Sequence, residues 1–151
     1  MRQSPLGVAL TGDASRYSGP DRSFPFRWFT DPAARERYAP QDHDRLSRLF
    51  TSGLREIATR RGPGSRAAAY ADLLLARSAE FRALWDRHEV GVRPDAVKRF
   101  VHPEVGRLEL NCQTLVDPNQ AHLLLVYTAD PGTESHQKLQ LLSVIGAQTL
   151  R

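Results

Sequence analysis

The spacing of apolar residues along this 151-residue chain changes period near residue 92, and the change organises the chain into two kinds of element. Upstream, Leu46, Leu49, Phe50, Leu54 and Ile57 recur at three- and four-residue intervals, which predicts a helix over about 42–60 with one apolar face. Gly62-Pro63-Gly64 ends it. Ser65 is placed to cap a following helix striped by Ala67, Tyr70, Ala71, Leu74 and Leu75. Ser78 is placed to cap another, whose face is Phe81, Leu84, Trp85 and His88, because a serine Oγ accepts an orphan N–H of a first turn. After Gly91 and Pro94 the period falls to two. Val97 to His102 reads as a strand, Pro103 to Gly106 as a turn, and Arg107 to Gln113 as a second strand with Leu108, Leu110 and Cys112 on one face. Beyond the turn at Asp117-Pro118-Asn119, the unbroken apolar run Leu123 to Tyr127 fits a central strand rather than an edge. Asp130-Pro131-Gly132 breaks the run, and Thr133 with Glu134 opens a last helix carrying Leu139, Leu142 and Ile145.

The first 40 residues follow neither period cleanly. Ser4 to Gly12 alternates bulky and small apolar residues and predicts a strand. Asp13 to Ser23 is a loop by composition. Phe24-Pro25-Phe26-Arg27-Trp28-Phe29 packs four aromatics into six residues and should lie across the core. Asp31-Pro32 is a helix start, with a short helix to about Tyr38. The order is then strand, aromatic crossing, helices, a three-strand antiparallel meander and a helix. That is an α+β layout, with helices covering one face of a sheet and a cleft between the layers as the natural place for a small molecule.

Composition narrows the function classes. With 40% apolar residues, one cysteine and no apolar run near 18 residues, the chain reads as one soluble domain over residues 1–151, with neither a disulfide scaffold nor a membrane span. No export signal opens it, so a cytoplasmic location is expected. The net charge of +4 is uneven: 16 Arg face 11 acidic residues over 1–94, and 5 basic face 6 acidic residues over 95–151. Arg45, Arg48, Arg55, Arg60, Arg61 and Arg66 flank Gly62-Pro63-Gly64. The helix after that turn offers almost no polar side chain to read base edges, so these arginines form a solvated face rather than a helix-turn-helix.

Chemistry is sparse. His43, His88, His102, His122 and His136 stand apart from one another and from Cys112, so no metal site is expected. There is no nucleophile elbow, phosphate loop or paired acid and base, hence no catalytic residue, no cofactor and no enzyme. His102, at a strand end before Pro103, suits either a hydrogen bond to a ligand or a bond to backbone that pins the hairpin; the second reading is preferred.

Four blocks resemble a known family. Ser78-Ala79-Glu80-Phe81-Arg82-Ala83-Leu84-Trp85-Asp86-Arg87-His88 looks like the signature of the MmyB-like ligand-binding domain of bacterial transcription regulators. Arg27 to Tyr38 is similar to that family's aromatic entry and "DPxARxxY" segment, Lys98 to Leu110 to its "HPxVGxLxL" hairpin, and Val126 to Gly132 to its "VYTAxPG" strand end. They stand in the family's order over about 24–142. The resemblance implies a PAS-like sensor domain, carried behind an N-terminal XRE-type helix-turn-helix that this sequence lacks. It further implies a hydrophobic pocket for a fatty acid or similar small molecule. The resulting reading is a homodimer that contacts DNA only through the missing reader and has no membrane association. The expected pocket walls are Phe26, Trp28, Phe29, Phe50, Leu54, Phe81, Trp85, Phe100, Leu108, Leu110, Leu125 and Tyr127, with Arg27, Arg35 and His102 as polar anchors. A ligand-free dimerisation domain is the alternative.

Overall fold

The computed structural model describes residues 2–117 and 122–149. Six α-helices and one sheet follow in the order α1 (Pro5–Thr11), α2 (Phe24–Thr30), α3 (His43–Arg61), α4 (Arg66–Arg77), α5 (Ala79–Asp86), β1 (Val97–His102), β2 (Gly106–Asp117), β3 (His122–Thr128) and α6 (Glu134–Thr149). The fold class is α+β, as the pattern implied. Short 3-10 turns at Ala14–Arg16, Gly19–Arg22, Pro32–Ala34 and Pro40–Asp42 carry the chain between elements. The chain divides into two compact units, a sheet unit (Met1–Arg16, Arg37–Ala39, Asp95–Arg151) and a helical unit (Tyr17–Glu36, Pro40–Pro94).

In the sheet unit the three strands run antiparallel in the order β1-β2-β3. Phe100 lies opposite Leu108 and Cys112 opposite Tyr127, so the alternation of the sequence becomes one apolar face. Leu10, Phe100, Val105, Leu108, Leu110 and Leu142 form the buried core there, flanked by Leu6, Tyr38, Tyr127, Ala129 and Leu139. Helices α1 and α6 pack on each other, and α6 packs on β2. Gly106 closes the β1–β2 turn at φ +73°, a left-handed position that glycine occupies without strain.

Three expectations are corrected here. Residues 4–12 are helical, not a strand: Ser4 Oγ accepts from Gly7 N–H, Pro5 opens the first turn, and Leu6 and Leu10 recur one turn apart. Local capping outweighs an alternation that was also compatible with four-residue spacing. The helix expected from Asp31 to Tyr38 is only the 3-10 turn Pro32–Ala34. Asp31 does cap it through Ala33 N–H at 3.0 Å, but the chain then passes through a turn at 35–37, after which Tyr38 bridges Phe100 beside β1. Third, the Leu123 to Tyr127 strand is an edge, not the centre of the sheet, and Leu123, Leu124 and Leu125 are exposed.

The helical unit keeps its predicted starts. Ser65 accepts from Ala68 N–H at 3.2 Å and Ser78 from Phe81 N–H at 3.1 Å. Helix α3 turns further than its apolar pattern implied: it buries Leu46 together with Ser47, Thr51 and Ser52, and leaves Ile57 exposed. His88 lies beyond α5, exposed and at φ +51°, rather than on the helix face with Phe81.

Candidate functional site

The aromatic helix α2 organises the helical unit. Ser23 Oγ caps it through Phe26 N–H, Pro25 occupies its first turn, and Phe26, Arg27, Trp28 and Phe29 are all buried. Seven residues leave little room for an exposed face, so the helix fills the interior instead. Trp28 meets Phe50 at 5.4 Å and His43 at 5.3 Å edge to face, while Phe24 meets Phe50 at 5.6 Å. On the other side Phe29 packs on Phe81 at 5.1 Å, and Phe81 on Trp85 at 5.4 Å. Phe26 lies 6.1 Å from Tyr70. Of the expected walls, Trp28 and Phe50 meet in one ring set and Phe29, Phe81 and Trp85 in another, while Phe26 pairs with Tyr70. Leu54 is half-buried on α3.

A polar network threads those rings. Trp28 Nε1 donates to Ser47 Oγ at 2.8 Å, Ser47 Oγ donates to Glu80 Oε1 at 2.7 Å, and Arg35 holds Glu80 with both terminal nitrogens, at 3.3 and 2.6 Å. Arg35 Nε also donates to the Trp28 carbonyl at 2.8 Å, with its guanidinium 5.0 Å from the Trp28 ring centre. Partial burial alone would raise the Glu80 carboxyl, but the hydrogen bonds from Arg35 and Ser47 outweigh it and hold the group below its ordinary 4.5. Ser47 and Glu80 escaped the sequence reading. The one available signal was the spacing of Ser47 and Thr51 as a small polar stripe on α3, where Thr51 Oγ1 donates to the Ser47 carbonyl.

Arg27 differs from Arg35. It is 8% exposed, its guanidinium stacks 3.8 Å from the Tyr17 ring centre and 5.5 Å from Phe24, and it donates to the Asp21 carbonyl. Among the described residues no carboxylate pairs with it.

Three arginines placed on a solvated face are instead tethers. Arg45 donates to the Arg93 carbonyl at 3.2 Å, Arg48 grips Glu89 in bidentate fashion, and Arg55 stacks 4.0 Å over Trp85 while donating to its carbonyl. Arg48 holds the Glu89 carboxyl below its ordinary value, chiefly through that hydrogen bond.

In the sheet unit Phe100, Leu108 and Leu110 are buried, Tyr127 is half-buried and Leu125 is exposed. Phe100 stacks between Tyr38 at 5.1 Å and Tyr127 at 5.3 Å. Burial pushes the Tyr127 phenol above its ordinary 10, and Tyr38 and Cys112 add to that. His102 is 6% exposed: its Nε2 lies 2.9 Å from the Ala9 carbonyl, and Glu104 N–H donates to its Nδ1 at 3.2 Å. With Nδ1 accepting, Nε2 carries the proton and donates to Ala9, so both nitrogens are committed to backbone. The hairpin-pinning reading of His102 is the one the geometry fits. An open groove of about 600 Å³ lies elsewhere in this unit, lined by Arg107, Glu109, Thr133, Glu134, Ser135 and Lys138, none of them an expected wall. Lys138 is occupied there by Glu134 at 2.7 Å and the Arg107 carbonyl at 2.8 Å.

Comparison with known families decides what this arrangement is. The family model for the MmyB-like transcription regulator ligand binding domain matches residues 1–142. The chain belongs to that family. No curated protein and no solved structure matches it. The MmyB-like domain is thus a regulator ligand-binding domain, a class that serves a small-molecule ligand and a DNA-binding partner domain. Its described residues hold no cluster of three or more metal-ligating side chains and no helix long and apolar enough to cross a membrane.

Proposed function

We propose that this MmyB-like domain is a cytoplasmic, non-enzymatic sensor with a PAS-like sheet, which binds a fatty acid or similar apolar molecule as a homodimer and biases an attached helix-turn-helix. The observation that carries the ligand class is Arg27. A guanidinium buried among Tyr17, Phe24 and the α2 aromatics, with only a backbone carbonyl as acceptor, suits a carboxylate head group in a bidentate pair. Arg35 is the weaker anchor, because Glu80 already takes its fork. His102 is no longer an anchor, since backbone takes both of its nitrogens. The aromatic walls would hold the chain, at about 0.8 kcal/mol per buried methylene.

A second reading has its own support. Phe26, Trp28, Phe81, Phe100, Leu108 and Leu110 are at most 2% exposed, as side chains of a filled core are, and this favours a ligand-free dimerisation domain. Native mass spectrometry of the purified chain, with lipid analysis of an organic extract, separates the two. A stoichiometric carboxylate lipid that is lost in Arg27→Met, with the far-UV spectrum unchanged, supports the sensor. A clean apo mass with no thermal shift across a fatty-acid panel leaves the dimerisation reading.

A further inference from the structure

The sheet unit treats its two edges differently. Beside β1, Ala39 N–H donates to the Arg99 carbonyl at 3.0 Å and Val101 N–H to the Arg37 carbonyl at 2.9 Å, so residues 37–39 cover that edge, and β1 also carries Lys98 and Arg99. Covering segments and charges are the usual protections against unwanted strand pairing. Strand β3 has neither. Among the described residues its backbone pairs with β2 alone, its ladder runs without a bulge from Leu123 to Thr128, and that stretch contains no charge and no proline. Leu123 and Leu125 are 66% and 46% exposed on the face they share with Tyr127. Leu124, 59% exposed, lies on the opposite face beside Leu115, which is 54% exposed on β2. Leu141 and Val144 of α6 are exposed as well.

An edge that is apolar on both faces cannot be satisfied by a helix laid on one of them; it calls for another strand. We propose that β3 pairs with β3 of a second copy of this chain, antiparallel across a two-fold axis, to give a continuous six-stranded sheet. This rests on the dimeric reading above and names its surface. A charged partner strand would bury its charges unpaired against these leucines, whereas β3 is charge-free and so complements itself. Identical antiparallel edges also supply equal numbers of donors and acceptors, which makes the contact isologous. The three exposed leucines of β3 offer on the order of 300 Å² per protomer, divided between the two faces of the strand. That is well under the ~800 Å² per partner of a stable interface, so the dimer forms weakly and dissociates on dilution.

Sedimentation velocity of the chain between about 1 and about 500 μM tests this, with Leu124→Lys as the variant and Lys98→Ala, on the covered edge, as the control. The expected result is a reversible monomer–dimer equilibrium whose dissociation constant rises at least ~10-fold in Leu124→Lys, where a charge replaces an apolar side chain of the pairing edge, and is unchanged in Lys98→Ala. Should Leu124→Lys lose its far-UV spectrum, amide exchange of Leu123 to Tyr127 in the unmodified chain decides instead: protection must rise with protein concentration. A dimer indifferent to Leu124→Lys overturns the β3 surface and leaves the dimeric reading standing. A monomer at every concentration overturns both, and neither result touches the ligand reading, which rests on the adduct mass.

Discussion

Ser47 is the hinge of the Trp28–Glu80 network, and Ser47→Ala tests whether that network holds the helical unit together. The serine is 1% exposed and Trp28 is 1% exposed, so alanine removes the acceptor that the buried indole N–H meets at 2.8 Å. An orphaned buried donor costs about 1–3 kcal/mol. The bond from Ser47 to Glu80 goes too, but that carboxylate is 43% exposed and recovers water, so its loss adds only about 0.5–1 kcal/mol. The expected destabilisation is therefore about 1.5–4 kcal/mol, or several degrees in Tm for a chain of this size. Trp28→Phe removes the donor as well as ring volume and costs about 2–3 kcal/mol by itself. Because either change breaks the same bond, the double variant should cost less than the sum of the singles by about 1–2 kcal/mol. Urea unfolding followed by far-UV circular dichroism, which does not depend on the tryptophan, reads all four corners of the cycle. Singles that each fall within about 0.5 kcal/mol of the unmodified chain, or that add without coupling, would refute the reasoning.

The same network sets a pH dependence. The folded Glu80 carboxyl lies below its ordinary 4.5, so the unfolded chain takes up the proton first, and the stabilisation is whole above about pH 4.5 and fades as pH falls through the folded value. Glu80→Gln should flatten that acid limb in urea titrations at pH 3 to 6; an unchanged limb counts against the assignment. His102→Phe strips the Ala9 carbonyl and Glu104 N–H of their partners and should cost about 1–3 kcal/mol, read as a lowered Tm and faster amide exchange in α1. Gly106→Ala places a Cβ at φ +73° with open space around it, so only backbone strain acts and a loss of about 1–2 kcal/mol is expected; a neutral result would mean the turn relaxes.

Elements governed by local rules were legible in the sequence. Ser65 and Ser78 cap where the pattern placed them, β1 runs over Val97–His102 as read, and α6 opens at Glu134 with Leu142 buried. What was lost depended on contacts made at a distance. The segment 35–38 looked helical, yet Tyr38 is drawn alongside Phe100, 62 residues on. Leu123 to Tyr127 looked central because both faces are apolar, but strand order is a property of the whole sheet and cannot be seen in one run. The aromatic part of the candidate site was recoverable from α2 alone, since four aromatics in six residues have nowhere to go but inward. Its polar part was not: Ser47 and Glu80 are 33 residues apart, and the Ser47–Thr51 stripe on α3 does not point to Glu80 as its partner.

The filled interior and the sensor reading are compatible only on one energetic condition. With Trp28, Phe26 and Phe81 packed to within 2% exposure, a ligand chain must displace side chains that already make their contacts, so its net gain is smaller than its transfer energy. A chain of about ten methylenes gains roughly 8 kcal/mol on leaving water, and opening well-packed aromatic contacts such as Phe29–Phe81 and Phe81–Trp85 draws on that sum. What remains is the difference in affinity between closed and opened states, and only that difference can bias an attached DNA-binding domain. A roomy, permanently open pocket would bind more tightly and signal less. On the proposed sensor reading, the dense packing around α2 would be the closed state that a ligand has to open, and Arg27, buried with a lone carbonyl acceptor, would supply the polar attraction that favours an anionic head group.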